Sequence, residues 1–222
     1  MKLDEAINNR YSVRAYLDKP VEKSLIEDIL SLAVRAPSWG NTQPWEIAVA
    51  AGPPRQALSE EFVSLVSGGA QTQSDFEMPE KFPGVYMDRY RAVGKQLFSI
   101  VGIGREDQEA RMNHALSMFR GFGAPVLVYI LVDTSLTTVY SVFDAGAVAN
   151  NICLAAASRG LGTCLLAALA WFPDSVRKHL NLAPEKRVVV GIALGYPDPT
   201  AKYNEMRTPR VPLSESVTWA GF

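Results

Sequence analysis

Only two cysteines and two histidines occur in this chain of 222 residues. Cys153 and Cys164 lie in apolar surroundings, with neither CxxC nor zinc-ligand spacing. They read as buried free thiols of a reducing compartment, which makes the cytoplasm the expected location. His114 and His179 have no second histidine at ligand distance, so neither a metal centre nor a Ser-His-Asp triad is expected. An excess of one charge sign is also missing. With 22 basic and 23 acidic side chains and a net charge of -1, the chain offers no general attraction to nucleic acid or to an acidic membrane. Apolar runs such as 126–132 are too short to span a bilayer, and the opening MKLDEAINNR has no signal-peptide core. No GxGxxG follows the first expected strand, and no strand opens the chain, which argues against a Rossmann nucleotide site. Any cofactor must be held another way.

What is present is enough apolar sequence, 48% of residues, for a single domain with a sizeable core. Helices are expected over 3–9, 21–36, 55–66, 86–101, 106–119, 142–158 and 173–180. In the second, Leu25, Ile29 and Leu32 recur every three to four residues, and Pro37 should end the helix. Segment 142–158 is alanine-rich and apolar nearly all round, the pattern of a buried central helix. Strands are expected at 45–51, ending at Gly52-Pro53-Pro54, at 125–133, and from Arg187 onward. Between 67 and 85, Gly68, Gly69, Pro79 and Pro83 interrupt any pattern, and a run of that length is usually a lid or a mobile loop. Strands separated by more numerous helices indicate an α+β layered domain.

Four segments carry polar chemistry. RYSVR at 10–14 would, in extended conformation, aim Arg10, Ser12 and Arg14 one way, giving two guanidinium forks and a hydroxyl suited to a phosphate and a conjugated carbonyl edge. Two surface arginines after a helix would look the same. APSWGNTQPW at 36–45 puts Pro37, Ser38, Asn41 and Gln43 between a helix and a strand, either as a binding loop or as plain turn residues. GLGTCLLAAL at 160–169 offers backbone N–H groups and close approach, or simply a core strand. RTPR at 207–210 is a second anion clamp or a solvated tail.

In combination and order, these segments resemble the nitroreductase family of FMN-dependent oxidoreductases. The likeness runs through RYSVR at 10–14, PSWGNTQPW at 37–45, GLGTCLLAALAWFP at 160–173, GIALGYP at 191–197 and RTPRVPLSESVTW at 207–219. The resemblance implies a three-layer α+β fold with a central, mostly antiparallel sheet flanked by helices. It also implies a homodimer whose flavin sites are shared between subunits. By it, Arg10, Tyr11, Ser12, Val13 and Arg14 bind the FMN phosphate, ribityl chain and pyrimidine edge. Pro37, Ser38, Trp39 and Asn41 reach the partner's flavin. Leu166, Ala167, Ala168 and Leu169 run along the ring and present backbone N–H near N5. Arg207 or Arg210 completes the phosphate site.

Residues from about 67 to 123 resemble the family's variable insertion over the active site, and their sequence looks like the nitrobenzoate and nitroaromatic reductase subgroup. Activity would then be ping-pong, two-electron reduction of a small aromatic acceptor by NADH or NADPH, with the flavin rather than a protein acid carrying the chemistry. Trp39, Tyr86, Phe119 and Phe122 are aromatic candidates for acceptor choice. Ala167 and Ala168 stand where many members have glycine, proline or a polar group, and the missing side-chain hydrogen bond to N5 weakens a reductive dehalogenase reading. Quinone or enone reduction, and flavin binding without turnover, remain alternatives.

Overall fold

The computed structural model describes residues 1–222. Helix α1 (Leu3–Asn9) is followed by the extended basic segment and α2 (Lys23–Ala33). Strand β1 (Trp45–Ala51) leads into α3 (Gly52–Ser67). Helices α4 (Val85–Val101) and α5 (Gln108–Phe119) precede β2 (Val126–Asp133). Then come α6 (Thr138–Ala157), β3 (Gly162–Leu166), α7 (Pro173–Leu180), β4 (Lys186–Gly195) and a short α8 (Leu213–Ser216).

The four strands form one sheet in the order β1-β2-β4-β3, and every pairing is antiparallel. Strand β2 explains why 126–132 reads as an unbroken apolar run. Val126, Val128, Ile130 and Val132 face a core shared with α2 and α6. Leu127, Tyr129 and Leu131 face a second core with α3, Phe119, Phe172 and Val176. Helices cover both faces, so the alternation of a one-sided sheet is lost. Each such large side chain contributes roughly 1.5–3 kcal/mol on burial.

Several boundaries differ from the sequence reading, each for a physical reason. Helix α2 stops at Ala33 rather than just before Pro37, because the proline pushes Ala36 out of the helical well and the chain leaves through turns first. Pro53 and Pro54 open α3 instead of closing a strand loop. In the first helical turn a missing N–H costs nothing, and Gly52 supplies the positive φ of 58° that turns the chain. Helix α6 begins at Thr138, and it is not buried all round: Val139, Tyr140 and Phe143 are exposed, Phe143 at 74%. By length and hydropathy α6 is the one helix that could cross a membrane, yet its other face packs on the sheet through Ala145, Val148, Ala149 and Ile152. Segment 160–169 is strand only to Leu166; Ala167–Ala170 form a 3-10 turn.

The stretch between α3 and α4 is irregular but pinned. The Asp75 carboxylate accepts the Val188 N–H at 2.7 Å and pairs with Arg177 at 2.8 Å, while Gln73 N–H donates to the Trp171 carbonyl at 2.9 Å. Both cysteines are free and buried, and burial raises both thiol pKa values, that of Cys164 to about 11.

Candidate functional site

Segment 10–17 is extended because it is tied to the ends of β3 and β4. Val13 N–H donates to the Thr163 carbonyl and Leu17 N–H to the Tyr196 carbonyl, with bridges Ser12–Thr163 and Tyr16–Pro197. Gly162 makes the approach possible, since a methyl group there would collide with Val13 and Pro197. The Tyr16 hydroxyl, buried beneath, lies 3.1 Å from the Val13 carbonyl and 3.3 Å from that of Ala193. Extended geometry sends Val13 inward, 1% exposed, and turns its neighbours outward.

Those neighbours line a cavity of about 650 Å³. Arg10, Tyr11, Ser12 and Arg14 form one wall, and Arg207, Thr208 and Arg210 of the tail form another. Ile7 and Asn8 of α1, Asn150 and Leu154 of α6, and Met206 complete it. The size suits a small-molecule site. All of the chain's ion pairs use other cations, so none of these four arginines has a carboxylate partner. Four like charges around one cavity, without a counter-ion from the protein, form a donor set for a multiply charged anion such as a phosphate.

The two tail arginines are held differently. Arg207 stacks on the Tyr11 ring, 3.6 Å from its centroid, and donates to the Asn204 and Met206 carbonyls. Arg210 bonds only to its neighbours Thr208 and Pro209. Arg207 is therefore pre-organised, whereas Arg210 is free to turn toward a ligand. Arg14 donates to the Ser12 carbonyl at 3.2 Å and lies 3.9 Å from Met206 Sδ.

The other expected residues lie outside this cavity. The Val13 side chain is core, 1% exposed, and its backbone N–H bonds to the Thr163 carbonyl, which holds the register of the arginines. Leu166, Ala168 and Leu169 are buried, and Ala167 is exposed at the end of β3. The 37–45 loop forms a separate hollow of about 260 Å³, lined by Trp39, Gly40 and Tyr140 among others. Here the Trp39 ring meets Tyr140 edge-on at 4.3 Å, and the Trp39 backbone N–H donates to the buried Asp144 carboxylate. Asn41 takes a positive φ of 57°, and Ser38 Oγ accepts the Gln43 N–H; Pro37, Ser38 and Asn41 line neither hollow. Phe119 and Phe122 belong to the second core, so neither is an available aromatic, whereas Tyr86 is exposed.

Sequence reasoning passed over two features. Asn150 is one of two adjacent asparagines in the largely apolar second half of α6, a signal that was there to read. His114 is half-buried among Phe98, Phe122 and Tyr203, and burial, then the Arg14 charge, lowers its pKa. With the Gln96 bond to the Arg207 carbonyl, this aromatic group seats the tail against α4 and α5.

The Nitroreductase family model matches residues 7–196. The chain belongs to the nitroreductase family. It is 32% identical to the 4-nitrobenzoate reductase of Pseudomonas putida, over 99% of this chain and 96% of that protein. It is 33% identical to the chloronitrobenzene nitroreductase of Comamonas testosteroni, over 98% and 96%. Its fold superposes with TM-score 0.95 on the FMN- and NADPH-dependent nitroreductase NfnB of Sphigopyxis sp. strain HMH, at 31% identity over the whole of both chains. Against the FMN-dependent nitroreductase NfnB of Mycobacterium smegmatis, solved in complex with NADPH, the TM-score is 0.92 at 30% identity, over 98% of this chain and 97% of that one.

Proposed function

We propose that this nitroreductase-family chain is an FMN-dependent enzyme that reduces nitroaromatic compounds with electrons from NADH or NADPH. The observation that carries the reading is the cavity of four arginines without acidic partners, in a chain whose relatives over full length are flavin nitroreductases. FMN, which these residues would hold, would supply two-electron redox chemistry between the nicotinamide and the acceptor, in a ping-pong cycle.

The residues position and tune. Arg10, Arg207 and Arg210 grip the phosphate, with Ser12 and Tyr11 along the chain from it. Arg14 would serve the pyrimidine edge, where its charge would offset the negative charge of a reduced flavin. A fixed donor at such a place contributes about 2–4 kcal/mol. The backbone of the turn from Leu166 to Leu169, in which only Ala167 is exposed, would follow the ring. No carboxylate or histidine lines the cavity, so solvent provides the protons.

The functional unit is a homodimer. Pro37, Ser38, Trp39 and Asn41 serve the flavin of the second subunit, and the exposed Val139, Tyr140 and Phe143 of α6 with Leu213, Trp219 and Phe222 of the tail supply apolar surface for the contact. The chain acts as one domain in the reducing cytoplasm, and residues 67–123 roof the acceptor site. Anaerobic stopped-flow tests the reading. NADH or NADPH should bleach the bound flavin, and a nitroaromatic should restore its colour. Bleaching by neither nicotinamide would overturn it, and reoxidation by quinones but not nitroaromatics would move the enzyme to the quinone reductases.

A further inference from the structure

Asn204 is 6% exposed and sits in a short 3-10 turn, Lys202–Glu205, that begins the tail. It does not line the arginine cavity, yet its bonds reach both walls of that site. Its Oδ1 accepts the Arg14 backbone N–H at 2.8 Å. Its Nδ2 donates to the Ala15 carbonyl at 2.8 Å and to the Asp198 carbonyl at 2.9 Å, which uses both amide protons. Its own carbonyl accepts the Arg207 guanidinium at 2.7 Å. One side chain thus clamps the N-terminal basic segment to the end of β4, and the same residue anchors the tail arginine.

No other residue type does this. Aspartate keeps the acceptor for Arg14 but meets two carbonyls with lone pairs where donors are needed. Glutamine is one methylene too long for a buried, fully bonded site. Leucine would leave the Arg14 N–H and the Asp198 carbonyl without partners, the Ala15 carbonyl keeping only the Asp198 N–H at 3.1 Å.

We propose that Asn204 is a positioning residue of the cofactor site: it fixes the Arg207 wall relative to the Arg14 wall and so sets the preference for a phosphorylated flavin over the same flavin without its phosphate. The proposal rests on the flavin reading above. It adds that the spacing of the two walls is held by a residue that touches no ligand. Loss of the clamp lets the tail arginine drift while the residues under the ring keep their places through β3 and Gly162.

The test compares FMN with riboflavin, which lacks only the phosphate, by fluorescence titration of full-length apo-protein. The wild type should bind FMN more tightly. Asn204→Ala and Asn204→Asp should each lower the FMN-over-riboflavin ratio by about tenfold or more, the scale of one charge-assisted hydrogen bond. A general packing defect weakens both flavins together and leaves the ratio unchanged, and that result overturns the proposal. So does failure of both variants to fold in excess FMN, which would make Asn204 a residue of the fold rather than of the site. If the wild type itself binds neither flavin, it is the flavin reading that fails.

Discussion

Arg10 and Arg14 illustrate how little a residue type says until its surroundings are known. Both stand in a chain with nearly equal numbers of acids and bases, so a partner for each would be the ordinary expectation. The structure gives them none and turns them toward Arg207 and Arg210 across one cavity. Replacing both, Arg10→Ala with Arg14→Ala, should strip the yellow colour from purified protein, each lost charge-assisted bond costing about 1.5–3 kcal/mol of binding. Flavin content is read from the absorbance spectrum, and content equal to wild type would refute the assignment. Val13 shows the opposite case. It sits inside the same motif but is packed like any core valine, and the alternation of an extended chain is the reason.

At the scale of elements, the site depends on how closely segment 10–17 lies against β3. Gly162→Ala should push Val13 outward and with it the flanking arginines. Overpacking of this kind costs about 1–3 kcal/mol, so the denaturation midpoint should fall and FMN binding should weaken in the same variant. A Gly162→Ala protein with wild-type stability and flavin affinity would mean that the segment is not held there.

Helices α3 and α7 are joined by another device. The Glu61 carboxylate accepts from Lys178, His179 and Ser175 at 2.7–2.8 Å. Those bonds, the Lys178 one first, lower its pKa from 4.5 to about 2. A carboxyl depressed in the folded state adds stability above its unfolded pKa and loses it as pH falls through the folded value. Thermal melts of wild type and Glu61→Gln should therefore differ at pH 7 and converge as pH drops from about 4.5 toward 2. A gap that stays constant across that range would count against the assignment.

For the whole molecule, the decisive surface is the outer face of α6. A helix this apolar, with Val139 and Phe143 more than 70% exposed, is poorly suited to lie against water over its whole length. Phe143→Asp should shift the protein toward monomer in sedimentation velocity, and flavin should be lost with it if Pro37, Ser38, Trp39 and Asn41 serve the second subunit. A stable, flavin-loaded monomer would contradict the shared site.

Local pattern was enough for the α+β class, for most helices and strands, and for the list of arginines, because periodicity, proline and glycine act over a few residues and leave their mark in order. It also sufficed for the family, since the motifs recur at spacings that chance seldom reproduces. The tertiary structure alone decided which of those residues meet. Tyr11 and Arg207 are far apart in sequence and stack at 3.6 Å. Asn204, in an unremarkable polar tail, became the clamp of the site through bonds to Arg14, Ala15 and Asp198. Phe119 and Phe122, open candidates for acceptor contact, went to the core. Burial and long-range pairing depend on how helices pack on both faces of the sheet, and no window of sequence contains that arrangement.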